Sequence, residues 1–280
     1  MNILITNDDG INSAGLHELA RELSALGRVT VCAPDREYSG SSVAIGSIHQ
    51  LRPKVTRHQF DDLDEAWSID GPPALCVMLA LADMFEKKFD LVVSGINPGA
   101  NTGRNVYHSG TVGAVIVGRS YGVSGLAISQ ASPTIARLGQ TDVSEVKQQL
   151  WTSAAVVARQ VAQDFAVNMP PAPTVVNVNV PNRQLGEISG VLRTRIARES
   201  HRDGTRVSLI PHEESADAFS AKLVWGQTID MPIETDVGAV NAGFISISPV
   251  GYLCSDDLYS ASDDDIAISD RLVASLAFTS

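Results

Sequence analysis

Five short apolar runs constrain the fold of this chain more than any other feature. They are "NILIT" (2–6), "RVTVCA" (28–33), "DLVVSG" (90–95), "GLAISQ" (125–130) and "TVVNVNV" (174–180). Each is rich in β-branched residues or uninterrupted by charge, as strands covered on both faces are. Helical patterns lie between them. From Leu16, the residues Leu19, Ala20, Leu23 and Leu26 recur at helical spacing, and Gly27 closes the segment. "PALCVMLALADMF" (73–85) is apolar nearly all round and reads as a buried helix, and "GTVGAVIVGRSYG" (110–122) as a third. The longest helix is expected over about 143–168, with Val146, Leu150, Ala154, Val157, Val161 and Phe165 on one face. Strand alternating with helix predicts an α/β fold: a parallel sheet flanked by helices.

The pattern changes after about residue 185. Up to 235 the chain is more polar and carries short β-like runs, "VLRTRIA" and "AKLVWGQTIDM". An antiparallel hairpin extension is expected there, and "GFISISPVGYL" (243–253) alternates as another strand. The acidic tail "SDDLYSASDDDIAISD" reads as a solvated surface, because the Gly and Glu positions of an EF-hand loop do not fit. With no repeat or linker, the expectation is one domain over 1–280. Its core spans about 1–184 and 236–253, the extension about 185–235, and the tail about 254–280. Apolar residues in the last two segments, Leu223, Val224, Trp225, Ile266 and Ile268, need burial, so a homo-oligomer with the extension or the tail crossing between subunits is expected.

Composition removes several classes of function. A formal net charge of −11 argues against binding polymeric nucleic acid, which works by neutralising phosphates. It leaves room for a small anion with a divalent cation between it and the protein. No run approaches about 18 apolar residues, so no membrane span is expected. No basic-then-apolar leader precedes the first run, and Cys32, Cys76 and Cys254 form no CxxC pattern. Both points give a cytoplasmic expectation.

In open parallel sheets, ligands bind beyond the carboxyl ends of the strands. The loops there are "NDDGINSAG" after the first run, "APDREYSGSS" (33–42) after the second and "SGINPGANTGRNVYHSGT" (94–111) after the third. Together they bring Asp8, Asp9, Asn12, Asp35, Ser39, Ser41, Ser42, Asn97, Asn101, Ser109 and Thr111. Adjacent carboxylates repel unless a cation or water compensates. An oxygen-rich set with almost no imidazole or thiolate suits Mg²⁺, Mn²⁺ or Ca²⁺. "SGT" (109–111) opens a helix whose free N–H groups can hold a phosphate. His108, the one histidine in these loops, is read as a packing or hydrogen-bonding residue. P-loop and GxSxG motifs are absent, no GxGxxG follows the first run, and "NDDGI" lacks the DxD spacing of phosphatases that use an aspartyl nucleophile.

"NDDG", "APDREYSGSS" and the "SGIN…SGTVGA" pattern resemble the SurE family of stationary-phase survival nucleotidases, and "NVNVP" (177–181) and "TDVGAVNAGFISISP" (235–249) continue the match in order. The resemblance implies a Rossmann-like fold and a divalent-metal-dependent phosphomonoesterase acting on nucleoside 5′- and 3′-monophosphates, with short polyphosphate cleaved by some members. It implies one Mg²⁺ or Mn²⁺ per subunit, a site that Ca²⁺ can also occupy, and a homodimer or homotetramer joined through a β-hairpin and C-terminal segments. Carried onto this chain, Asp8, Asp9, Ser39 and Asn97 are the metal ligands, with Asp8, Asp9 and Asn97 catalytic. Asn12, Asn101, Ser109, Gly110 and Thr111 fall on the substrate side. Two departures bear on specificity: His108 stands between Tyr107 and "SGT", and "GPPALC" (71–76) has Pro72 and Leu75 where the family commonly has Thr and Asp. Water or an aspartyl nucleophile would serve the reaction, and a non-catalytic nucleotide sensor is the alternative.

Overall fold

The computed structural model describes residues 1–46, 52–60, 63–132, 147–212, 215–251 and 263–276. The strands are β1 (Asn2–Thr6), β2 (Arg28–Pro34), β3 (Val55–Phe60), β4 (Leu63–Ile69), β5 (Leu91–Pro98), β6 (Ser124–Gln130), β7 (Val175–Val180), β8 (Val191–Arg193), β9 (Arg202–Asp203), β10 (Arg206–His212), β11 (Ser215–Val224), β12 (Gln227–Thr228) and β13 (Ile245–Pro249). The α-helices are α1 (Ala14–Leu23), α2 (Pro73–Leu79), α3 (Gly110–Ser120), α4 (Trp151–Val167), α5 (Asp236–Asn241) and α6 (Asp263–Ser275).

The main sheet has the order β3-β4-β2-β1-β5-β6-β7-β13-β8. From β4 to β7 every pairing is parallel, as the uninterrupted apolar runs predict. Alternation along each strand sends side chains to two cores. Ile3 and Ile5 pack with Leu16, Leu19, Val157 and Phe165 on the α1/α4 face. Leu4, Cys32 and Val92 pack with Cys76, Val112 and Val115 on the α2/α3 face. Among the described residues, no helix is long and apolar enough to cross a membrane.

Several boundaries differ from the sequence reading. The β3–β4 hairpin, which extends the sheet at one edge, was not expected. Its outer strand "VTRHQF" alternates between exposed and half-buried residues and so lacks an apolar run. The helix expected to reach residue 85 ends at Leu79 and widens through Ala80–Met84, where Asp83 has φ +64°. Helix α4 begins at Trp151, and Val146 lies outside the described residues, as do Tyr252, Leu253 and Cys254.

β13 pairs antiparallel to β7, and β8, expected in the extension, instead joins the main sheet beside β13. Among the described residues, β10–β11 forms the long antiparallel hairpin of this region and β9–β12 a short antiparallel pair, and Val207, Leu209, Ile210, Phe219, Leu223, Val224 and Trp225 are exposed. The tail reaches the core of the main sheet. Ile268 is buried in its own chain's core with Leu272 and Leu276, and Arg271 Nε donates to Asp164 Oδ2 at 2.8 Å. The side chain of Ile266 lies outside what is described.

Candidate cation and phosphate site

Strands β2, β1 and β5 are neighbours, and the chain runs outward from β1 on both sides. A crevice opens at such a reversal of strand order. The loops after these three strands meet there, and glycine makes the meeting possible. A Cβ on Gly110 would lie 2.9 Å from both Cβ and Oδ2 of Asp8, and 2.7 Å from Ser41 Oγ. A Cβ on Gly113 would lie 2.1 Å from the Ser42 carbonyl oxygen. Any larger residue at either position would wedge the loops apart.

Asp8 is buried, 3% exposed, and its Oδ1 accepts a hydrogen bond from Thr111 Oγ1 at 2.6 Å. Burial pushes its carboxyl above the usual carboxylate range, while the Thr111 hydroxyl and the backbone N–H groups of Gly110 and Thr111 act the other way. Asp9 lacks that support. Its Oδ2 is buried without a partner, and burial, then Asp8, then Glu37 hold its carboxyl well above the ordinary value. Among the described residues, no Lys, Arg or His pairs with either aspartate. Asp8 is buried and Asp9 half-buried with a buried oxygen, so the pair lacks countercharge.

The other predicted residues divide. Ser109 caps α3, accepting from Val112 N at 3.1 Å, which leaves its hydroxyl hydrogen available. Asn97 donates from Nδ2 to the Gly99 carbonyl at 2.7 Å, leaving Oδ1 as its acceptor. Ser39 is exposed and donates to Glu37 Oε1 at 2.7 Å. Asn12 is exposed at the first loop. Asn101 is buried, and its Nδ2 donates to Ser129 Oγ at 2.9 Å. Thr111, expected on the phosphate side, gives its hydroxyl to Asp8. The His108 side chain is exposed, while its backbone carbonyl accepts from Ser42 N at 3.2 Å.

Sequence reasoning passed over three residues. Asn7 is buried and fixes the first loop through Gly10 O and Ser13 Oγ, at 3.1 and 2.6 Å. Glu37 holds Ser39, and Asn105 buries an unpartnered Nδ2. Only Asn7, directly before the aspartates, had a signal in its position.

The donor set fits a hard divalent cation. Asp9 Oδ2 and Ser41 Oγ are both buried and unpartnered, and both are oxygens. Among the described residues, no group of three or more His, Cys, Asp and Glu side chains is placed for a metal, so hydroxyl and amide oxygens would complete the shell. Fold and site together define a Rossmann-like α/β protein with an acidic, hydroxyl-rich loop cluster at the point where its strand order reverses.

Comparison with known proteins narrows that class. The family described as "Survival protein SurE" matches residues 3–203, and the chain belongs to this family. It is 38% identical over 254 residues to the 5′-nucleotidase SurE of Legionella pneumophila (strain Lens), covering 89% of this chain and 90% of that protein. It is 34% identical over 262 residues to the 5′-nucleotidase SurE of Acinetobacter baumannii (strain AYE), with 89% and 93% covered. A crystal structure of SurE from Aquifex aeolicus superposes with a TM-score of 0.74 at 30% identity, over 92% of this chain and 95% of that one.

Proposed function

We propose that this chain is a divalent-metal-dependent 5′-nucleotidase, a phosphomonoesterase that hydrolyses nucleoside 5′- and 3′-monophosphates to nucleoside and phosphate. Buried Asp8 and half-buried Asp9, whose Oδ2 is buried without a partner, stand without countercharge where a helix begins, and they carry the reading. Family membership and relatives named 5′-nucleotidase support it.

Asp8, Asp9 and Asn97, with Ser39, would hold one Mg²⁺ or Mn²⁺ per subunit. When bound, such a cation offsets the charge of a phosphate monoester and lowers the pKa of water. The chain's own groups supply the rest. Thr111 and the first amides of α3 fix Asp8. One of the two aspartates accepts the proton of the attacking water. Ser109 donates its hydroxyl hydrogen to a phosphoryl oxygen as charge builds there. The buried, unbridged thiols of Cys32 and Cys76 agree with a reducing compartment, and the cytoplasm is the proposed location. A homodimer or homotetramer formed through the β10–β11 hairpin is proposed on its exposed apolar side chains.

Phosphate release from a panel of nucleoside monophosphates tests the activity. EDTA should abolish release, and added Mn²⁺ or Mg²⁺ should restore it. Undiminished release from a verified metal-free sample would sink the metal assignment. Tight nucleotide binding with no release would favour a sensor.

A further inference from the structure

The loop from Asn97 to Ser109 carries proposed site residues at both ends, and a single 3₁₀ segment, Gly103–Tyr107, is its regular structure. Buried side chains from distant parts of the chain hold its middle. On one side, Asn179 Oδ1 accepts from Asn101 N at 2.8 Å, and the Nδ2 atoms of Asn177 and Asn179 donate to the Asn101 carbonyl at 2.8 and 3.1 Å. On the other side stands Asp236, the first residue of α5 and fully buried. Its Oδ2 accepts from Gly103 N at 2.8 Å. Its Oδ1 accepts from Ala197 N at 3.0 Å and Val237 N at 2.9 Å.

The choice of aspartate here needs a reason, because burying a carboxylate is costly. Among the described residues, no Lys, Arg or His forms an ion pair with Asp236. Burial pushes its carboxyl up even against its backbone donors. The geometry supplies the reason: donors approach from opposite sides, so both oxygens must accept. An asparagine offers one oxygen and one NH₂, and would set a donor against a donor on one side. The loop also lies directly on this anchor. A Cβ on Gly103, at φ +52°, would stand 3.4 Å from Val237 and 3.6 Å from Ala197.

We infer that Asp236 is a positioning residue for the phosphate-side loop, tying it at Gly103 to the base of the extension at Ala197 and thereby setting where Asn97 and Ser109 stand. The activity readout for this role rests on the nucleotidase reading above. The position is reached only through the fold, since Gly103 and Asp236 are 133 residues apart.

Asp236→Asn tests it, because the variant keeps one oxygen for the two-donor side and turns its NH₂ toward Gly103. Asp236→Ser, smaller and unable to span the two sides, is the second variant. In the metal-free proteins, amide exchange should quicken by about tenfold or more across residues 99–109 and remain unchanged in the central strands. The Mn²⁺ concentration for half-maximal phosphate release should rise about tenfold to a hundredfold, as for other groups that orient ligands from behind. The melting temperature should fall by no more than about 4 °C. Unchanged loop exchange with an unchanged Mn²⁺ requirement would overturn the inference, as would exchange quickened evenly through the whole chain. If the wild type releases no phosphate, the nucleotidase reading fails, and the exchange measurement alone decides the role of Asp236.

Discussion

Asp8 and Asp9 are the same side chain one residue apart, yet the fold gives them different chemistry. Asp8 sits on the Thr111 hydroxyl and the first amides of α3, while Asp9 has a buried oxygen with nothing to accept from. Asp9→Asn keeps the shape and removes the charge. Turnover should fall on the order of a hundredfold or more if a cation there supplies several kcal/mol of charge stabilisation. Near-wild-type turnover with metal still bound would move the role to the other aspartate. Thr111→Val deletes the hydrogen bond to Asp8 at constant size. It should cost about 1.5–3 kcal/mol in urea unfolding, the range for a bond to a charged group, as well as activity. A change near zero would mean that Asp8 finds its geometry without Thr111.

The helices act as rulers for the loops. α3 stands against the loop after β2 because Gly113 has no side chain to meet the Ser42 carbonyl, which a Cβ would approach to 2.1 Å. Gly113→Ala should push α3 and that loop apart, with a loss of about 1–3 kcal/mol as in other overpacked sites. Denaturant melts check the stability, and phosphate release should fall alongside it. An alanine variant as stable and active as the wild type would show that the contact has slack. The same helix start explains why the His108 departure leaves the cap intact: Ser109 still accepts from Val112 N, and the additional imidazole points out of the packing.

For the molecule as a whole, the proposed assembly rests on the hairpin. A two-stranded hairpin is marginal by itself. β10 is exposed along its entire length, with Leu209 at 65% and Phe219 of β11 at 51%. Light scattering at micromolar concentration should therefore report a dimer or larger. Leu209→Asp combined with Phe219→Asp should weaken it while the sheet, helices and aspartate pair stay folded. A monomeric wild type, or a double variant that assembles as well as the wild type, would refute the hairpin contact. In the tail, Ile268, Leu272 and Leu276 pack into the core cluster of the main sheet.

The sequence alone determined the central parallel strands, the helices between them and the loops that carry the proposed site. The signals there are local: a strand covered on both faces needs an apolar run, and a close approach of backbone needs glycine. Edge elements escaped because β3 is only partly covered and so alternates. The tertiary structure decided which oxygens are free. Thr111 meets Asp8 across 103 residues, and Asp236 meets Gly103 across 133. Neither spacing leaves a periodic trace, since side chains on different elements come together only when the sheet order and the packing of helices on it bring them there.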